Sequence, residues 1–473
     1  MISVAVTAAS FIVMIYFIIR PRVIRLPLLG YRVRLDYMMG SVIGALLLII
    51  LSVLTPQQAL SSLIGREGFS PYTIIILFMA VAYIAISLDS TGFFEYLALK
   101  IILRTGGDGR RLFFSFYFLS GFITLFTSND IVILTLTPII FYFGKHAKIN
   151  VLPYLVAEFF AANVWSMGFY FSNPTNIIAA SASGITLLSF STWMIIPTIV
   201  GGLLCLTILY IIFRGDVNVK FKVPGEIDPD EFLPDKACAF ITCAVFMATI
   251  FTLAISPLIG LEMWTISLVA AMGLFCYDAA VAMVEHSNKN LSFYRIFKRY
   301  AYRGHAKVYS FRLHLIAERM PWRIMPFLIC AFIMVEGLVV SGVTDGIASF
   351  LSAVSVNVFA SALSMGLLSS FSANLINNQP MTVLFTKITE SQHFLLTGND
   401  RLASVYALIA GSNLGANITL IGALAGIMWA NILRQKDKRI SYKNFAKLGL
   451  VVTVPVIIAT CMTLALELFL FGG

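Results

Sequence analysis

The chain has 473 residues, 59% of them hydrophobic and 12% charged, with a mean hydropathy of +0.90. Soluble domains carry about a quarter charged residues, so a soluble globular protein is excluded and an all-α polytopic membrane protein is indicated. The net charge of +10 does not point to nucleic acid, because the basic residues flank apolar runs in the positive-inside manner.

In chain order, runs apolar and long enough to span a bilayer fall at 2–19, 38–55, 71–102, 151–190, 192–213, 237–255, 262–284, 323–351, 402–433 and 446–468. The first run has no basic residues before it and arginines after it, which predicts a retained helix with its N-terminus outside rather than a cleaved signal. Two further apolar stretches, 112–144 and 354–388, are each interrupted by a polar tip. The first tip is Thr127-Ser128-Asn129-Asp130 and the second is Asn374-Leu375-Ile376-Asn377-Asn378-Gln379-Pro380. Arms of about a dozen residues are too short to span, so each stretch reads as a re-entrant hairpin. Irregular backbone at membrane depth is tolerated only where protein or a cavity surrounds it.

The basic residues orient these elements. Arg110 and Arg111 precede the first hairpin and Lys145 and Lys148 follow it, which places both its feet in the cytoplasm. The second hairpin then enters from outside. In this arrangement only Arg66, Lys387 and Arg401 fall on the outer side. The protein is expected in the plasma (inner) membrane with both termini outside.

The same arrangement divides the chain into two inverted repeats, 1–213 and 237–473, joined by a cytoplasmic linker, 214–236, that carries Pro224, Pro229 and Pro234. Ser90-Thr91-Gly92 matches Ser341-Gly342, Asn129-Asp130 matches Asn377-Asn378, and Asn176 matches Asn417. Each half has an odd number of spans, so the halves face opposite ways, as in many secondary transporters that bind substrate near the midplane. Segment 285–322 is basic and rich in tyrosine. It is expected to be a cytoplasmic loop or an interfacial helix on anionic lipid, or a docking site for a soluble partner.

Two more polar breaks interrupt apolar helices, Ser172-Asn173-Pro174-Thr175-Asn176 and Gly411-Ser412-Asn413-Leu414-Gly415-Ala416-Asn417. Pro174 lacks a backbone donor and pushes Asn173 out of helical geometry. At each break one half-helix ends in free carbonyls and the next begins with free N–H groups. Four such breaks meeting would form a polar chamber, for which asparagine is suited because its amide both donates and accepts. The expected binding residues are Ser128, Asn129, Asp130, Asn173, Thr175, Asn176, Asn377, Asn378, Ser412, Asn413, Asn417 and Thr419. Asp130 is the one carboxylate at a break and is assigned the coupling of proton or cation. Glu158 and Glu336 lie deep in their runs and rank second. The six cysteines form no CxxC or Cys/His pattern, so no metal or cofactor is expected. No nucleophile–base pair suggests an enzyme.

These motifs resemble those of the arsenite/antimonite permease family (ArsB) of the ion transporter superfamily. The resemblance rests on Asn129-Asp130 followed by Leu136-Thr137-Pro138, and on Ser172 through Ile177. It continues in Pro321-Trp322-Arg323-Ile324, Asn377 through Thr382, and Gly411 through Trp429, and runs from about Tyr72 to the C-terminus. Ile131-Val132-Ile133, where that family has small residues, and the length of 285–322 depart from the pattern.

The resemblance implies a secondary transporter with a small inorganic substrate and a coupling ion, proton or sodium. The expected activity is proton-coupled efflux of arsenite, antimonite or a similar small oxyacid. The alternatives are a sodium/proton antiporter and an importer of a carboxylate or inorganic anion. A homodimer and a soluble ATPase partner stay open.

Overall fold

Helices carry most of the described residues, as the backbone of a membrane protein must satisfy its hydrogen bonds internally. This computed structural model describes residues 2–25, 32–65, 70–222, 228–233, 235–287, 312–438 and 440–472. Most of the basic, tyrosine-rich segment expected at 285–322 lies outside the described residues, as do Arg66, Pro224 and Pro234.

Among the described residues eight helices are long and apolar enough to cross a membrane. The expected spans at 2–19, 192–213, 237–255, 262–284 and 446–468 become Ile2–Ile19, Leu187–Val217, Lys236–Ala254, Met263–Ser287 and Tyr442–Phe471. The second is shorter than its apolar run, Tyr37–Ile50, and a separate helix Pro56–Ile64 follows it. Asp36 caps the second helix through Met38 N at 3.2 Å and pairs with Arg323 at 2.5 Å. A short antiparallel ribbon, Arg22–Arg25 with Arg32–Leu35, was not anticipated within the basic segment 20–36.

The long third and eighth spans are each two helices. Pro71–Ser90 stops before Phe93–Arg104, and Ile324–Val340 stops before Val343–Val354. At the joints Gly92 has φ +83° and Gly342 φ +72°, left-handed values that a residue with a Cβ rarely adopts. The repeated Ser-Thr-Gly and Ser-Gly motifs are therefore helix stops that redirect the chain.

Both helical pairs form, but the expectation that every arm is too short to span does not hold, since Val358–Ile376 is among the eight helices long and apolar enough to cross a membrane. The first joins Gly109–Phe126, 18 residues, to Asn129–Ala147, 19 residues. The second joins Val358–Ile376, 19 residues, to Asn378–Glu390, 13 residues. The first hairpin starts three residues before its expected end, through Arg110 and Arg111, whereas the second starts four residues inside its expected end, each at a side-chain cap. Asp108 accepts from Arg110 N and Arg111 N, and Asn357 accepts from Ala360 N. The spans at 151–190 and 402–433 are broken as expected, into Leu152–Trp165 and Pro174–Ala182, and into Gly398–Gly415 and Leu424–Gln435. The order redirected helix, hairpin, broken helix and long final helix thus occurs twice.

The chain packs as two units. One comprises 1–75, 163–205 and 322–473, and the other 76–162 and 206–321. Each draws on both sequence repeats. In the first unit the arm Val358–Ile376 lies tightly against Gly398–Gly415. A Cβ on Gly415 would stand 2.7 Å from the Ser370 carbonyl oxygen. Small residues permit this approach where lipid supplies no hydrophobic drive between helices. In the second unit the linker is docked. Gly109 N donates to Val219 O at 2.9 Å and Phe221 N to Gly107 O at 2.8 Å, at the foot of the first hairpin.

Candidate functional site

In the first unit, two broken helices and the second hairpin tip converge through amide side chains. Asn173 stands in extended geometry, φ −150°, and caps the resumed helix by accepting from Thr175 N at 3.1 Å. Pro174 takes the first helical position, where a missing N–H costs nothing. Asn413 is the hub. Its Oδ1 accepts from Ser166 Oγ at 2.6 Å and from Asn173 Nδ2 at 2.8 Å. Its Nδ2 donates to Asn176 Oδ1 at 2.6 Å and to Ile409 O at 2.8 Å. Asn176 Nδ2 donates to the carbonyls of Ser166 and Phe169, at 2.7 and 2.8 Å, which the break has left without helical partners. Ser412 Oγ reaches Thr175 Oγ1 at 3.0 Å, and Asn163 Nδ2 donates to Asn417 Oδ1 at 2.9 Å.

The second hairpin tip docks on the unwound stretch after Gly415. Asn378 N donates to Gly422 O at 2.9 Å, and Asn377 Nδ2 to Ile421 O at 3.2 Å. Asn374 Nδ2 donates to Gly415 O at 2.9 Å and its Oδ1 accepts from Thr419 Oγ1 at 2.6 Å. Asn377 alone links the two arms, with φ +73° and ψ 149°, a conformation that is essentially reserved for glycine. Such strain persists only where the surroundings over-determine it. Beside it, Asn378 Oδ1 and Gln379 Oε1 are buried without a hydrogen-bond partner among the described residues. Asn378 and Gln379 are 2% and 3% exposed.

Ser128, Asn129 and Asp130 form the first hairpin tip, in the second unit. Ser128 caps the second arm through Ile131 N at 3.4 Å, and Asn129 Oδ1 accepts from Asp130 N at 3.0 Å. Among the described residues Asp130 takes part in no ion pair. Further along this arm, Thr135 donates to Asp89 at 2.9 Å and Thr137 to the fully buried Glu158 at 2.8 Å. Asp89 also pairs with Arg319.

The repeat register differs by one residue from that read in the sequence. Thr127 and Ser128 separate the arms of the first hairpin, whereas Asn377 alone separates those of the second. Asn129 therefore corresponds to Asn378, and Asp130 to Gln379. Likewise, Asn163 and Asn413 each stand two residues before the end of their half-helix, at Trp165 and Gly415, so Asn163 is the counterpart of Asn413. Asn417, in the unwound stretch, does not correspond to Asn176, inside the resumed helix. Asn163, Ser166, Asn374 and Gln379 were missed as site residues. Aligning Ala162-Asn163-Val164 with Ser412-Asn413-Leu414 would have found the first.

A buried ion pair was also missed. Asp278, within Met263–Ser287, lies 3.0 Å from Arg312, with side chains 0% and 2% exposed. Tyr83 and Ser87 each donate to Asp278 at 2.8 Å, and Arg312 donates to Thr242 at 3.2 Å. The sequence pattern places Arg312 in the basic segment 285–322, outside the spans. Among the described residues no cluster of His, Cys, Asp and Glu is suited to a metal ion.

Paired hairpins and broken helices in repeated order, on a strongly apolar chain, define a secondary transporter. The profile of the citrate transporter family, CitMHS, matches residues 14–394, and the chain belongs to that family. It is 28% identical over 395 residues to the arsenical pump membrane protein of Escherichia coli K12, covering 83% of this chain and 85% of that protein. It is 26% identical over 427 residues to a putative arsenical pump membrane protein of Bacillus subtilis, covering 85% and 88%. Its fold is similar to that of the Alcanivorax borkumensis YdaH transporter, described as having an unusual topology, with TM-score 0.53, 12% identity and coverage of 100% and 98%.

Proposed function

We propose that this transporter exports arsenite or antimonite, as the uncharged trihydroxy acid, in exchange for protons. The observation that carries the reading is the second hairpin tip, where Asn378 and Gln379 present unmatched carbonyl oxygens and no Lys or Arg stands within the tip 374–380. Amide oxygens accept hydrogen bonds from hydroxyl groups and offer nothing to a carboxylate, which is itself only an acceptor. The names of the relatives, arsenical pump membrane proteins, agree with it. On the first hairpin tip, in the second unit, Ser128, Asn129 and Asp130 are the ion-binding residues of this reading, with Asp130 carrying the proton. Asn173, Thr175, Asn176, Ser412, Asn413, Asn417 and Thr419 position the breaks, since their polar atoms are used within the protein.

One charge moved inward gains about 2.3 kcal/mol per 100 mV, enough for more than tenfold accumulation of a neutral solute at about 1.4 kcal/mol per decade. The reading keeps the expectation of the inner membrane with both termini outside, which comes from the charges flanking the spans, and gradient coupling needs no ATPase. A citrate importer is the second reading, favoured by the family's description. Sodium is the rival coupling ion, because amide oxygens also suit a hard cation.

The test is uptake into proteoliposomes under imposed proton or sodium gradients, without ATP. The reading expects proton-driven arsenite or antimonite movement that citrate does not compete with. Citrate movement without metalloid movement refutes it, and a need for ATP refutes gradient coupling.

A further inference from the structure

At the end of the second broken helix lies a cavity of about 300 Å³, at the lower limit of pockets that hold small ligands. Leu420, Trp429, Ala430, Leu433, Arg434, Ile440 and Tyr442 line it. Its inner wall is apolar and deep, with Leu420, Trp429 and Leu433 at 2%, 0% and 1% exposure. Its mouth is of the opposite character. Tyr442 is 55% exposed and Arg434 is the lining cation, while Lys436, Lys438, Lys443 and Lys447, near these residues in sequence, are exposed. Asp437 is the one acid between residues 434 and 447, and none of these five cations makes an ion pair among the described residues. Arg434 is held in place by its own helix, donating to Asn431 Oδ1 at 2.7 Å and to Ala430 O at 3.4 Å.

An apolar slot beneath unpaired cations, at the foot of a membrane helix, fits an amphiphile with an acyl chain and a negative head group. We propose that this cavity is a binding site for an anionic phospholipid of the cytoplasmic leaflet, with chain atoms against Leu420, Trp429 and Leu433 and the phosphate against Arg434 and the neighbouring lysines. Basic pockets on the cytoplasmic face are where such head groups bind. The site has a route to the transport machinery. Leu420 belongs to the unwound stretch, and a Cβ on Gly426 would stand 2.5 Å from its carbonyl oxygen. Trp429 packs against Phe445 of the final helix, with ring centroids 5.8 Å apart. A lipid in the slot braces the resumed half-helix against the final helix. The proposal does not depend on the identity of the substrate.

The test uses the full-length protein in a neutral detergent. Phosphatidylglycerol and phosphatidylcholine with identical chains, and glycerol 3-phosphate alone, are titrated while native mass spectrometry reads bound molecules and thermal denaturation reads stability. The proposal expects saturable binding and a raised melting temperature with phosphatidylglycerol only. Arg434→Gln weakens that binding by about fivefold, the effect of losing one cation near the surface. Ala430→Trp, or Ile440→Trp if the first does not fold, fills the slot and abolishes it. Equal response to both lipids, equal binding of glycerol 3-phosphate, or unchanged binding in the filled variant overturns the proposal.

Discussion

Asn413→Ala is the sharpest probe of how the breaks are held. The substitution removes hydrogen bonds to Ser166, Asn173, Asn176 and Ile409, and a long one to Ser412 Oγ at 3.5 Å. Two of these partners are not stranded, because the Ser166 hydroxyl can turn its single hydrogen to Asn163 O at 2.8 Å and Ile409 O also accepts from Ser412 Oγ at 2.9 Å. The cost falls on Asn173 Nδ2 and Asn176 Oδ1, in residues 2% and 0% exposed. A buried polar group without a partner costs about 1–3 kcal/mol, and hydrogen bonds between membrane helices measure toward the low end, about 0.6 kcal/mol on average. The expected loss is about 2–4 kcal/mol. Asn413→Asp should cost more, since it turns a carboxylate oxygen toward the Asn176 and Ile409 acceptors. Chemical denaturation of detergent-solubilised protein measures the stability, and calorimetric titration with substrate measures binding. If Asn413→Ala keeps wild-type stability and loses substrate affinity, Asn413 is a ligand rather than a fastener and the division of roles is wrong.

Other outcomes follow from single contacts. Arg312→Leu leaves Asp278 buried without its cation and should destabilise by about 3–5 kcal/mol, while the double variant with Asp278→Asn should recover much of that by the same denaturation assay. Asn377→Gly relieves a glycine-type backbone conformation and should stabilise by about 1 kcal/mol; a loss larger than its weak side-chain bonds explain would mean that the strain is not real. Gly415→Val places methyl groups on the Ser370 backbone and should cost at least about 1–3 kcal/mol, read as a lowered melting temperature.

Much of this was legible in the sequence, because a polar residue within a long apolar run is anomalous on sight. The tips at 127–130 and 374–380, the break at Ser172–Asn176 and the break at Gly411–Asn417 all announce themselves that way. The one-residue slip in register was not legible. It depends on whether one or two residues link the arms, and Asn377 makes a single-residue link only by accepting positive φ. Asn163 escaped notice because it lies before the helix breaks, where an isolated amide looks like ordinary core. Asp278 and Arg312 escaped because the charge-sorting rule assigns cations to loops and is blind to one that folds back onto a span. Gly92 and Gly342 were seen as a repeat, but that they end helices depends on backbone geometry.

The corrected register sets Asp130 against Gln379, a titratable group against a neutral one at equivalent places in the two hairpins. The claim that rests on this asymmetry is that Asp130 carries the coupling proton. Wild type and Asp130→Asn, reconstituted at equal density in vesicles with an imposed proton gradient, test it directly by arsenite accumulation. The account predicts that wild type concentrates arsenite severalfold above equilibrium while Asp130→Asn only equilibrates it. Gradient-driven accumulation by Asp130→Asn equal to wild type would contradict it.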